Sequence, residues 1–224
     1  MESIYKNLGG GIILPDFGAR KLLYMHKTFM SDLILPKAYM EYQNPIGEML
    51  SKIKNRNDVC YITIDEKIVC NETHRREGIH VDFNWYENLL AHGEINTGGH
   101  SGNQGTHNIT PPPSTGSHNG GGRGTHNSLS GMHGHRRYEK MEGGMLLISN
   151  HEGCKVYKGE FDGEIGDGGD CTAIDVSKME NEIMKPNNIY FINALGIHEP
   201  LIIKGVTERI LVRINFHPNY IFLN

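Results

Sequence analysis

The feature that most limits what this chain can fold into is a series of short β-branched and aromatic runs that begins at residue 58: DVCYITI, KIVC, GIHVDFNW, GMLLIS, CKVYKG, CTAIDV, NIYFINA, PLIIKG and TERILVRINFH. Glycine, asparagine and aspartate separate them. Runs of this kind between turn formers make strands, and many in succession make a sandwich or barrel. Two of them alternate clearly. In GIHVDFNW, Ile79, Val81 and Phe83 share one strand face and His80, Asp82 and Asn84 the other. In TERILVRINFH, Ile210, Val212, Ile214 and Phe216 oppose Arg209, Leu211, Arg213 and Asn215.

Before residue 58 the texture is different. Leu22, Leu23, His26, Phe29, Met30 and Leu33 recur at intervals of three and four, which predicts an amphipathic helix over 16–34, stopped by Pro36. Asn44-Pro45 reads as an N-cap followed by proline in the first turn. Ile46, Met49, Leu50 and Ile53 then form the apolar stripe of a second helix, about 45–55. The expected architecture is mainly β with flanking N-terminal helices. Residues 1–57 are expected to be a helical support and 58–224 a β domain, together a single domain, for which 224 residues suffice.

Residues 97–135, TGGHSGNQGTHNITPPPSTGSHNGGGRGTHNSLSGMHGH, interrupt the β runs. Eleven of these 39 residues are glycine and six are histidine, while Ile109, Leu129 and Met132 are the sizeable apolar ones, so the segment cannot build a core of its own. It reads as a long Gly/His-rich inserted loop. THN, SHN and THN recur within it at spacings too irregular for a solenoid.

The formal net charge of −4 gives no general attraction for nucleic acid or an anionic membrane. No apolar stretch is long enough to span a bilayer, and the N-terminus does not look like a signal peptide, so a cytoplasmic protein is expected. Cys60, Cys70, Cys154 and Cys171 form no CxxC pair and are too sparse for a disulfide framework, which suggests reduced thiols in core or hairpin positions.

The chemistry concentrates at His80 and Asp82, which supply two metal ligands from one strand face. Two histidines and one carboxylate on one side of an octahedral metal leave three positions open, the arrangement of non-haem iron(II) oxygenases. The third ligand would be His198, at the end of the run NIYFINALGIHEP. Arg209 and Arg213 follow on a strand whose face would meet a carboxylate or phosphate, because unpaired guanidinium groups are costly to bury. A plainer reading pairs His80 with Asp82 on a solvated strand, and the arginines with Glu199, Glu208 or Asp175. THRREG places His74, Arg75 and Arg76 just before the metal-ligand run, either as an exposed basic turn or where a substrate anion would arrive. GEFDGEIGDGGDC, residues 159–171, reads as a hairpin loop bordering the pocket. Zinc hydrolysis is also open to two histidines and an aspartate.

His80-x-Asp82, a distal His198 and then Arg209 or Arg213 resemble the HxD…H…R pattern of iron(II)/2-oxoglutarate-dependent dioxygenases. The resemblance covers residues 58–217 around the insertion. It implies a double-stranded β-helix, or jelly roll, with iron held by His80, Asp82 and His198 and 2-oxoglutarate held by an arginine. Arg213-Ile214-Asn215 resembles the family's Arg-x-Ser, with Asn215 in place of serine, and favours Arg213 for that role, with Arg209 the close second. The implied reaction couples decarboxylation of 2-oxoglutarate to oxidation, usually hydroxylation, of an unidentified small-molecule or protein substrate. The other expectation is a structural protein, such as a virion component, whose jelly-roll scaffold forms a homo-oligomer or assembly through residues 97–135.

Overall fold

The computed structural model describes residues 1–82 and 143–216. The inserted segment 97–135, and with it the assembly expected of it, lies outside the described residues, as do Phe83 and Asn84. The strands in chain order are β1 (Glu2–Ser3), β2 (Tyr5–Gly10), β3 (Lys21–Phe29), β4 (Val59–Glu72), β5 (Gly144–Ser149), β6 (Cys154–Glu160), β7 (Glu180–Ile183), β8 (Asn188–Asn193), β9 (His198–Pro200) and β10 (Ile203–Phe216). One α-helix, α1 (Gln43–Ser51), follows a 3-10 segment at Lys37–Tyr42. All pairings between these strands are antiparallel.

They form two sheets. The larger has the order β2-β8-β5-β10-β4-β3, and the smaller is built on β6, flanked by β7 and by β1 and β9. The runs DVCYITI and KIVC join into the single long strand β4, which pairs with β10 over nearly its whole length. A central strand is covered on both faces, and GMLLIS meets that condition: all six residues of β5 are buried. Leu146 and Ile148 join Ile62, Ile64, Ile210, Val212, Ile214 and Phe216 on one face, where Ile46, Met49, Leu50 and Ile53 of α1 and its C-terminal turn cover them. Each such fully buried side chain contributes roughly 1.5–3 kcal/mol of transfer free energy. The opposite face carries Met145, Leu147 and Leu211, which pack on Cys154 and Val156 of the smaller sheet.

Three expectations are corrected. Residues 16–34 are not a helix: Lys21–Phe29 is an edge strand paired with β4. Between Leu23 and His26 the register slips at a bulge where Met25 takes φ 49°. The inward side therefore changes phase in mid-strand, from Leu23 to His26 and Thr28, and this phase change mimics a spacing of three and four. Leu22 and Phe29 are 57% and 59% exposed. CTAIDV is a turn and not a strand, because its short polar side chains bind nearby backbone. Ile174 N–H donates to the Cys171 carbonyl, Thr172 N–H to Asp170 Oδ1, and Ser177 N–H to Asp175 Oδ1. Asn44 does not cap its helix; α1 begins at Gln43, continuing from the 3-10 segment, with no side-chain cap.

Glu66 is a carboxylate that β4 turns toward the apolar face. It is buried, and it accepts from Tyr42 Oη at 2.7 Å and from the amides of Gly18 and Ala19 at 3.2 and 3.3 Å. That bond set ties the loop before β3 to the start of α1. Cys60, Cys154 and Cys171 are buried, Cys70 is exposed, and all four are free. No described helix is long and apolar enough to cross a membrane.

Candidate metal centre

His80 and His198 meet across a two-way backbone bridge. His80 N–H donates to the His198 carbonyl and His198 N–H to the His80 carbonyl, both at 2.9 Å. The bridge aligns the two side chains on one side, with ring centroids 4.3 Å apart. The run at 78–82 is held on its other side by the loop after β6: Val81 N–H donates to the Gly169 carbonyl and Cys171 N–H to that of Ile79. Residues 159–171 thus support this run through its backbone but do not line the pocket, and Gly168 accepts from Arg76 Nη1 at 2.5 Å.

Each histidine is oriented by a glycine two residues earlier. His80 Nδ1 lies 2.8 Å from the Gly78 carbonyl and His198 Nδ1 lies 3.0 Å from the Gly196 carbonyl. A carbonyl only accepts, so both Nδ1 atoms carry the proton and both Nε2 lone pairs are left for a ligand. The sequence repeats the device, Gly78-Ile79-His80 and Gly196-Ile197-His198. This signal was available to sequence reasoning and was missed. Gly196 is required sterically, since a Cβ there would run into Ile192 Cγ2 and the Asn193 carbonyl.

Asp82 completes the group. One ligand atom from each of His80, Asp82 and His198 lies within 4.8 Å of the others, and His198 Nε2 is 3.8 Å from Asp82 Oδ2. A metal about 2.1 Å from each donor fits among them after modest side-chain rotation. Burial, with the neighbouring His198 second, pushes His80 down to about 3, and burial lowers His198 against the pull of Asp82. Both rings are therefore neutral, as ligands must be. Burial opposes the charge on Asp82, but Arg213, then His198 and His80, outweigh it and hold the carboxyl far below its usual range.

The three residues line a cavity of about 60 Å³ between the sheets, with walls that include Met145, Leu147, Cys154, Leu211 and Pro200. Arg209 and Arg213 reach it from β10, 4% and 6% exposed. Arg213 Nη1 donates to Asp82 Oδ2 at 2.6 Å, while its buried Nε has no partner among the described residues. Arg209 Nε donates to Ser149 Oγ at 3.1 Å. Burial brings Arg209 down to about 10. Gly153 makes room for it: a Cβ at Gly153 would sit 2.8 Å from the guanidinium carbon. Neither Ser149 nor Gly153 was singled out from the sequence, and nothing local in SNHEG marks them.

Of the remaining candidates, Arg75 and Arg76 line the pocket, whereas His74 and Asn215 do not. His74 is fully buried with Nε2 3.0 Å from Asp65 Oδ2. Asn215 lies beyond Arg213 on the same strand face, its Nδ2 directed at Met25 Sδ at 3.6 Å. Compared with known proteins, the chain matches no family model, no curated protein and no solved structure.

Proposed function

We propose that this protein is a non-haem iron(II)- and 2-oxoglutarate-dependent oxygenase, with its two facing antiparallel sheets forming a jelly roll around the metal. The observation that carries the reading is the pair of backbone-locked histidines, both with Nε2 free, converging with Asp82 at the wall of a pocket that also holds a buried arginine. Two neutral imidazoles and one carboxylate on one side of a metal suit iron(II) with open positions better than a closed structural site. When bound, iron(II) supplies the positions at which 2-oxoglutarate chelates and oxygen is activated.

The residues of this chain would do the rest. His80, His198 and Asp82 hold the metal. Arg209 grips the distal carboxylate of 2-oxoglutarate: Ser149 fixes its orientation and the space over Gly153 keeps it extended. We prefer it to Arg213, whose guanidinium is engaged with Asp82. A charged hydrogen bond of this kind contributes roughly 1.5–3 kcal/mol. Met145, Leu147 and Leu211 keep the pocket wall dry, which strengthens each charged contact inside it.

The test is an anaerobic titration of metal-free protein with iron(II) and 2-oxoglutarate, read by the visible charge-transfer band of the chelate. Wild type should develop the band, Asp82→Ala should lack it, and Arg209→Gln should need at least tenfold more 2-oxoglutarate. Tight zinc binding with no uptake of 2-oxoglutarate would replace this reading with a hydrolytic one.

A further inference from the structure

We infer that the pocket contains a second anion position, formed by Arg75 and Arg213 beside the metal centre, which takes a carboxylate or phosphate group of the substrate. The position stands on the charges of the pocket itself; only calling its occupant the substrate rests on the oxygenase reading.

Among the described residues, four arginines and one acid, Asp82, line the pocket. The arginines descend from rim to floor. Arg76 is exposed and anchored to the Gly168 carbonyl, Arg75 is half-buried, and Arg213 and Arg209 are buried. Asp170, outside the wall, partly offsets Arg76. Asp65, behind the pocket, faces His74 at 3.0 Å and also bears on Arg75 and Arg209. A divalent metal would add two positive charges and 2-oxoglutarate would remove two, so the arginine excess remains after both are bound.

That excess is local. Arg75 and Arg213 line the same pocket beside Asp82, and the like charge of Arg213 acts on Arg75. Arg213 leaves a buried Nε–H without an acceptor among the described residues, and buried donors of this kind are rarely left so. An oxyanion between the two guanidinium groups would satisfy the Nε–H and separate the like charges, and planar two-pronged donors suit carboxylate and phosphate alike. Arg76 at the rim would draw such an anion inward. Arg209 is left to the cosubstrate.

The experiment titrates inorganic phosphate, and separately acetate, by calorimetry into protein saturated with manganese(II) and 2-oxoglutarate. Wild type should bind one anion per chain, and the tighter of the two probes tells phosphate from carboxylate. Arg75→Gln should weaken it at least tenfold and Arg75→Lys less. Arg56→Gln, an exposed charge outside the pocket wall, should stay within twofold of wild type. The proposal is overturned if neither probe binds wild type, or if Arg75→Gln, folded by circular dichroism, binds as Arg56→Gln does. A parallel titration of metal-free Arg209→Gln protein reads the position without either cofactor. Arg75-dependent binding there, with no uptake of manganese or 2-oxoglutarate by wild type, would leave the anion position standing and remove the oxygenase.

Discussion

The pairing of Arg213 with Asp82 places a buried cation directly on a candidate metal ligand, and a double-mutant cycle measures what that contact is worth in metal-free protein. At 2.6 Å and an effective dielectric constant of 20, two unit charges attract by about 6 kcal/mol before desolvation is subtracted. The Asp82 side chain is 21% exposed and keeps some hydration, whereas Arg213 keeps little. Asp82→Ala therefore leaves a buried guanidinium uncompensated and should cost about 3–5 kcal/mol. In a chain of this size that lowers Tm by about 6–20 °C. Arg213→Met alone should cost less, because Asp82 can turn toward water. The double variant replaces the pair with apolar surface and should be more stable than Asp82→Ala alone, giving a coupling energy of about 2–4 kcal/mol. The assay is urea denaturation followed by far-ultraviolet circular dichroism, with chelator present so that adventitious metal cannot contribute. If the two single costs add to within about 0.5 kcal/mol, the contact carries no coupling and the electrostatic account of Asp82 is wrong.

Three further outcomes follow from other parts of the structure. Gly153→Ala drives a Cβ into the Arg209 guanidinium, so 2-oxoglutarate should bind at least tenfold more weakly in the iron titration while iron alone binds as in wild type. His74, His80 and His198 are all held below their ordinary pKa, so the unfolded chain takes up protons that the folded one does not; stability is full above about pH 6.5 and falls on acidification, with His80 alone accounting for about 1 kcal/mol between pH 6.5 and 5.5, as urea midpoints across that range would report. Glu66→Ala strands Tyr42 Oη and the amides of Gly18 and Ala19, and should cost about 2–4 kcal/mol, with proteolysis beginning in the 15–20 segment.

The β-rich body was legible because it depends on period-two patterning within single strands, and the candidate pair His80 and Asp82 because the two sit two residues apart in an alternating run, although the structure forms only an isolated bridge there. Strand β10 shows this directly: Ile210, Val212 and Ile214 pack on α1, and Arg209 and Arg213 turn to the pocket. The edge strand β3 was not legible, because a bulge at Met25 shifts its phase and gives a two-residue period the spacing of a helix. Strand β7, with the sequence ENEI, carries almost no apolar signal since it is an exposed edge. Which arginine pairs with Asp82 depends on where Asp82 points, and no spacing along the chain encodes that. The same holds for His74, which adjoins Arg75 in sequence yet turns away from the pocket toward Asp65.

The two-way bridge between His80 and His198 has a consequence for how the molecule is assembled. Its two halves stand 118 positions apart in the chain, so the histidines come together only after distant strands have found one another. A metal would find no tridentate partner in an early, locally folded intermediate and could not act as a template; it would enter last and work as a latch. Adding chelator should then leave the refolding rate of the chain unchanged while the metal-loaded protein unfolds more slowly than the bare one, because the latch strengthens contacts that the transition state has yet to complete.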